Sequence, residues 1–200
     1  MKYKQKILDV IDSEIESLQN MKECINAEID DIIDEIVAAK GKIIFTGIGK
    51  SAHIARKISA TFSSLGVSSF FIDSNEALHG DLGAVQKNDI VICVSFSGNT
   101  KEVCKVVEVL NNDNITTIAM TGNENSYIAK YCTYSIIISN LIEFDKVTSA
   151  PTNSTTAFLV IGDALAMVLA EVKGVKKEDF LKTHPGGNLG EKLRKKLEMM

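Results

Sequence analysis

The 200-residue sequence has only two prolines, three histidines and four cysteines, and no surplus of positive charge. So little proline in a chain that is 45% hydrophobic and 24% charged excludes collagen-like and long disordered organisation. The formal net charge of -4 offers no overall attraction to nucleic acid, so an anionic ligand must be held by local groups. Cys24, Cys93, Cys104 and Cys132 form no C-x-x-C pair and no zinc-like spacing, which points to reduced thiols. No apolar run approaches the roughly 18 residues of a membrane span. The N-terminal Met-Lys-Tyr-Lys-Gln-Lys leads into an acidic amphipathic stretch rather than a signal-peptide core, so the expectation is a soluble, cytoplasmic protein. Repeats and low-complexity tracts are absent, and the length suits one domain.

What is present is periodic. Ile11, Ile15, Leu18, Met21, Ile25, Ile29, Ile32 and Ile36 recur every three or four residues, which predicts two helices or one bent helix over residues 1–40. Their apolar stripe has to cover the domain or another subunit. Short β-branched runs follow at Lys42–Thr46, Ser69–Asp73, Asp89–Ser95, Ile115–Thr121 and Thr133–Ser139, with helical spacing between them. The pattern predicts an α/β core over 41–175: a doubly wound, five-stranded parallel sheet flanked by helices. A further helix opens at Pro151 and runs to Val172, with Gly174 as its stop. The tail, 176–200, holds Thr183-His184-Pro185-Gly186-Gly187 and then a basic helix over Leu189–Leu197. Ligands of such sheets bind beyond the carboxyl ends of the strands.

Two strand ends there invite anions. The first strand runs into Gly47-Ile48-Gly49-Lys50-Ser51-Ala52, a glycine-rich turn at a helix start. A Walker A loop needs glycine where Ile44 stands, so a nucleotide-triphosphatase is excluded. Gly47, Gly49 and Asp73 suit a nicotinamide dinucleotide as well as they suit a sugar phosphate. The third strand breaks the tie with Ser95-Phe96-Ser97-Gly98-Asn99-Thr100, three hydroxyls around a glycine at another helix start, which suits a phosphate. One of these hydroxyls is expected to cap that helix.

Six motifs stand in one order: Gly-x-Gly-Lys-Ser after strand one, His79-Gly80-Asp81-Leu82-Gly83, the Ser-x-Ser-Gly turn, Ala150-Pro151-Thr152-x-Ser154-Thr155-Thr156, Gly162-Asp163-Ala164-Leu165, and His184-Pro185-Gly186-Gly187. In this order they resemble the arabinose 5-phosphate isomerases of the sugar isomerase (SIS) superfamily, which has a flavodoxin-like sheet. Phe96 and Asn99 depart from a family pattern in which Asn and Glu are frequent. The resemblance implies interconversion of D-ribulose 5-phosphate and D-arabinose 5-phosphate, supplying Kdo for lipopolysaccharide or capsule. It also implies a homotetramer with shared sites, and it names CMP-Kdo as a candidate feedback ligand. The chain ends at Met200 without the paired CBS domains that many members carry, so it resembles the short form.

Moving a carbonyl between C1 and C2 requires a base, an acid and an enediol intermediate, and histidine titrates near neutral pH. His53 lies inside a predicted helix and is set aside. By resemblance His79 and His184 are the leading proton-transfer groups, with Glu102, Glu143 and Lys50 orienting and stabilising. Gly49, Ser51, Ser95, Ser97, Gly98 and Thr100 are the expected substrate-binding residues, their hydroxyls holding the phosphate. The Thr152–Thr156 run serves equally well as site lining or as a helix start. No metal or cofactor is required. A non-catalytic SIS module that senses a sugar phosphate, and an isomerase of another ketose phosphate, are the alternatives.

Overall fold

In a computed structural model that describes residues 2–25, 27–186, 190, 191 and 194, the N-terminal amphipathic stretch forms two helices, α1 (Lys2–Cys24) and α2 (Glu28–Ala38). Strands and helices then alternate: β1 (Ile43–Gly47), α3 (Gly49–Ser64), β2 (Ser69–Asp73), α4 (Ser74–Ala77), β3 (Ile90–Val94), α5 (Lys101–Asn112), β4 (Thr116–Thr121), α6 (Tyr127–Tyr131) and β5 (Tyr134–Ile137). A 3-10 turn at Asp81–Ala84 lies between α4 and β3, and α7 (Asn153–Val172) and α8 (Lys177–Thr183) follow the sheet. The five strands lie where the apolar runs predict them, to within two residues. The basic helix expected over Leu189–Leu197 and the second glycine of the Pro-Gly-Gly turn, Gly187, fall largely outside the described residues.

All strand pairs are parallel, in the order β2-β1-β3-β4-β5. β1 and β3 are buried along their whole length, which is why they read as unbroken apolar runs rather than as alternation. On one face Phe45, Ile92, Val94 and Met120 pack with Ile58 and Phe62 of α3 and Phe158 of α7. On the other, Ile44, Val91, Cys93 and Ala119 meet Val103, Val106 and Leu110 of α5. The Phe45 and Phe62 rings meet edge-on with centroids 5.1 Å apart.

α7 corrects one sequence expectation. It has 20 residues and an 18-residue stretch of mean hydropathy 1.8, long and apolar enough to cross a membrane by length and composition. Yet its Ala157, Phe158, Leu165 and Leu169 are core residues, because two faces of a central helix contact protein. Gly162 lies against the Ile58 side chain, leaving no room for a Cβ, and Lys57 pairs with Asp163 at 2.5 Å. The Gly-Asp-Ala-Leu motif therefore marks the α3–α7 crossing.

The N-terminal stripe divides. Met21 is buried in the domain core, whereas Tyr3, Ile7, Ile11 and Ile15 stay exposed. Where α1 meets α7, the buried Asn153 amide donates to the hydroxyls of Ser13 and Ser17, each at 2.9 Å, and to the Ile142 carbonyl at 2.8 Å.

Candidate active site

The chain leaves β1 in one direction to β2 and in the other to β3, so the strand order reverses between β1 and β3 and opens a crevice at their carboxyl ends. Gly47 at the end of β1 is paired with Asp73 on β2 and Val94 on β3, so the loops after all three strands share one edge. Ile48 is extended and Gly49 takes a φ of +63°, a conformation open to glycine, which turns the chain into α3. Ile48 has no side chain able to cap α3. The first-turn N-H groups, with Ser51 among their residues, are thus left for an anion. Lys50 beside them is exposed, and among the described residues no carboxylate pairs with it.

The turn after β3 differs from expectation in how its hydroxyls are used. Thr100 stands at the N-cap position of α5 but makes no capping bond; its hydroxyl instead shares a 2.9 Å hydrogen bond with that of Ser95. Ser97 Oγ accepts from the Asn99 N-H at 3.3 Å, inside the turn. No hydroxyl of this turn caps α5, whose start is open like that of α3. Gly98, at φ +64°, sits so close to Ser126 and Thr121 that a Cβ would overlap their hydroxyls. Phe96 anchors the turn to the core, its ring edge-on to Phe158 with centroids 6.1 Å apart.

His79 follows α4 on the loop beyond β2, exposed, with its N-H bonded to the Glu76 carbonyl at 2.9 Å. That loop is tied to β1 by a buried hydroxyl pair, Thr46 with Ser74 at 2.9 Å. Asp73, the residue a dinucleotide ribose would need, accepts from the Asn75 N-H at 2.9 Å as the N-cap of α4. Glu102 lies half-buried in the first turn of α5. His53 is exposed on α3.

Glu143 has a clear structural occupation. Its carboxylate accepts from the backbone N-H groups of Thr152 at 2.8 Å, Asn153 at 2.8 Å and Ser154 at 3.2 Å, and from the Thr152 hydroxyl at 3.2 Å. Burial pushes this carboxyl up, but the hydrogen bonds from Ser154 and from the α7 backbone outweigh it and hold the group below its ordinary value. The Thr/Ser run is engaged in the same helix start. Thr155 bonds back to the Thr152 carbonyl at 2.9 Å, and Thr156 donates to Glu14 at 2.9 Å.

His184 is not brought to this edge within one chain. Its ring stacks on Phe180 with centroids 3.9 Å apart, and its Nδ1 lies 2.9 Å from the Phe180 carbonyl. The neighbouring Thr183 donates to the Ser64 carbonyl at 2.9 Å, at the far end of α3 from Gly49. A 16-residue helix at ~1.5 Å per residue puts about 22 Å between those ends. The two histidines that the motifs suggest therefore lie toward opposite ends of the strands.

With this geometry in place, known proteins supply the family. Residues 35–168 match the SIS domain. The chain belongs to the SIS domain family. Curated relatives include the arabinose 5-phosphate isomerase KdsD of Pseudomonas aeruginosa, 44% identical over 82% of this chain and 50% of that protein. KdsD of Escherichia coli K12 is 40% identical over 92% of this chain and 56% of its own length, so the chain spans about half the length of these curated relatives. Among solved structures, an E. coli CFT073 protein in complex with arabinose 5-phosphate is 36% identical with a TM-score of 0.87, covering 90% of this chain and 95% of that one.

In this SIS domain the sequence reading missed several residues that shape the site. Ser74, Thr46 and Asn153 are buried polar groups whose hydroxyl partners on other elements lie 28 to 140 residues away in sequence, with no local pattern to announce them. Cys93, Cys104 and Cys132, apart in sequence, all lie in or against the core beneath the α5 face. They are free thiols, and hydrogen bonding with Cys132 together with burial pushes the Cys93 thiol up, away from the reactive thiolate.

Proposed function

We propose that this SIS domain is an aldose–ketose isomerase interconverting D-ribulose 5-phosphate and D-arabinose 5-phosphate through an enediol intermediate. The observation that carries the proposal is the pair of uncapped helix starts, α3 and α5, flanking one crevice with the Ser95–Thr100 hydroxyl pair between them. The similarity to KdsD isomerases supports the choice of substrate.

Gly49, Ser51, Ser95, Ser97, Gly98 and Thr100 hold the phosphate in this reading. Lys50, free of any carboxylate among the described residues, stabilises phosphate or enediolate charge. His79 and His184 are the proton-transfer pair, with Glu102 and Glu143 orienting. Because Thr183, next to His184, is bonded to Ser64 at the end of α3 remote from Gly49, the site is completed by His184 of the partner subunit. A homotetramer with shared sites provides that arrangement. The protein acts in the cytoplasm, feeds Kdo synthesis for lipopolysaccharide or capsule, and has CMP-Kdo as its candidate feedback ligand.

The test is incubation of the pure protein with each pentose phosphate, without added cofactor, following aldose–ketose conversion. Conversion in both directions is expected, from a species that sediments as a tetramer. Binding of sugar phosphate without conversion would replace this reading with that of a sensing module.

A further inference from the structure

The Ser95–Thr100 turn is shaped from outside. A helix start leaves its first backbone donors without intrahelical acceptors. In α6 the Ser126 hydroxyl takes the Ala129 N-H at 3.4 Å. The other two donors go to the turn: Tyr127 N-H to Asn99 Oδ1 at 2.9 Å, and Ile128 N-H to the Gly98 carbonyl at 3.1 Å. Asn99 also donates through Nδ2 to the Ser97 carbonyl at 3.2 Å, so one amide spans the turn and α6. It immediately precedes Thr100, whose hydroxyl is turned to Ser95 instead of to α5.

We propose that Asn99 is a positioning residue: by clamping the turn to the start of α6, it keeps the Thr100 hydroxyl from capping α5 and so leaves the α5 N-H groups open for the substrate phosphate. The proposal rests on the reading of this turn as the phosphate cradle. The competing arrangement is local and ordinary. Once the clamp is released, Thr100 is free to make the usual N-cap bond and occupy the donors that a phosphate needs. Asn99 is exposed, so its truncation leaves no core cavity.

Two changes break the same bond from opposite sides. Asn99→Ala removes the acceptor. Tyr127→Pro removes the donor at the first position of α6, where proline is tolerated, and Ser126 before it already has the extended backbone (φ -72°, ψ 166°) that proline demands. Tyr127→Ala is the control, losing the ring but keeping the N-H. The probes are titration with inorganic phosphate and steady-state kinetics with arabinose 5-phosphate. Asn99→Ala against wild type, and Tyr127→Pro against Tyr127→Ala, should each raise the phosphate Kd and the KM about three- to tenfold, the range one hydrogen bond supports. The kcat should stay within about twofold, and the double change should be no worse than either single one.

Wild-type phosphate affinity in Asn99→Ala, or full additivity of the two changes, would overturn the proposal. Phosphate binding that responds as described in a protein without turnover would sink the isomerase reading alone. Failure of the wild-type protein to bind phosphate would sink both.

Discussion

Glu143 offers a test that separates a structural duty from a catalytic one. Its carboxylate accepts three backbone N-H groups at the start of α7, a helix whose Phe158 is wholly buried in the core. An N-cap bond contributes about 1 kcal/mol, and a negative charge at a helix N-terminus adds about 0.3–1 kcal/mol. Glu143→Ala, which removes both, should therefore destabilise by about 2 kcal/mol, and Glu143→Gln, which keeps one acceptor oxygen, by about half as much. For a domain of this size about 2 kcal/mol corresponds to a fall in Tm of roughly 4–8 °C.

The same carboxylate sets a pH dependence. Its folded-state pKa is depressed, so its stabilisation is complete above the unfolded value of about 4.3 and disappears as pH falls through the lower folded value. Scanning calorimetry of wild type and Glu143→Gln at pH 7, 5, 4 and 3 should show a Tm gap that is constant at the first two and narrows at the last two. Equal midpoints at pH 7, or a gap unchanged at pH 3, would refute the capping account. Turnover measured well below both midpoints then isolates any catalytic part, which stability alone would leave intact.

Gly98→Ala forces a side chain into a positive-φ position against Ser126, so sugar-phosphate affinity by calorimetric titration should fall at least about tenfold, a loss that conformational strain of about 1–2 kcal/mol supports. Phe158→Ala empties a fully buried site under Phe96, and urea denaturation should report a loss of about 3–5 kcal/mol. His79→Ala and His184→Ala should each lower kcat by about 10²-fold or more. If sites are shared, unfolding and refolding the two inactive variants together should restore activity at roughly a quarter of the sites by random assortment of subunits, and no recovery would place both imidazoles in one chain.

The sheet was legible in the sequence because a parallel strand buried on both faces has to be a short unbroken apolar run; Ile43–Gly47 and Ile90–Val94 are such runs. The helix starts after them were legible too, since glycine and hydroxyl residues at a strand end leave few other uses. Those signals are local, spanning one strand and the turn that follows it. By itself the sequence thus determined the α/β order and the residue types at the ends of β1 and β3, whereas the crevice between those strands follows from the strand order.

Only the tertiary structure decided which partner each side chain takes. Thr100 occupies a cap position yet turns to Ser95, because Asn99 and α6 hold the turn. Glu143 is committed to α7 across a loop, and Ser74 to Thr46 through the sheet interior. His184 lies beside Ser64 instead of His79, since α3 carries the chain the full height of the sheet between them. Hydrogen bonds and packing between segments far apart in sequence follow from how layers dock, and no spacing within a single segment encodes that docking.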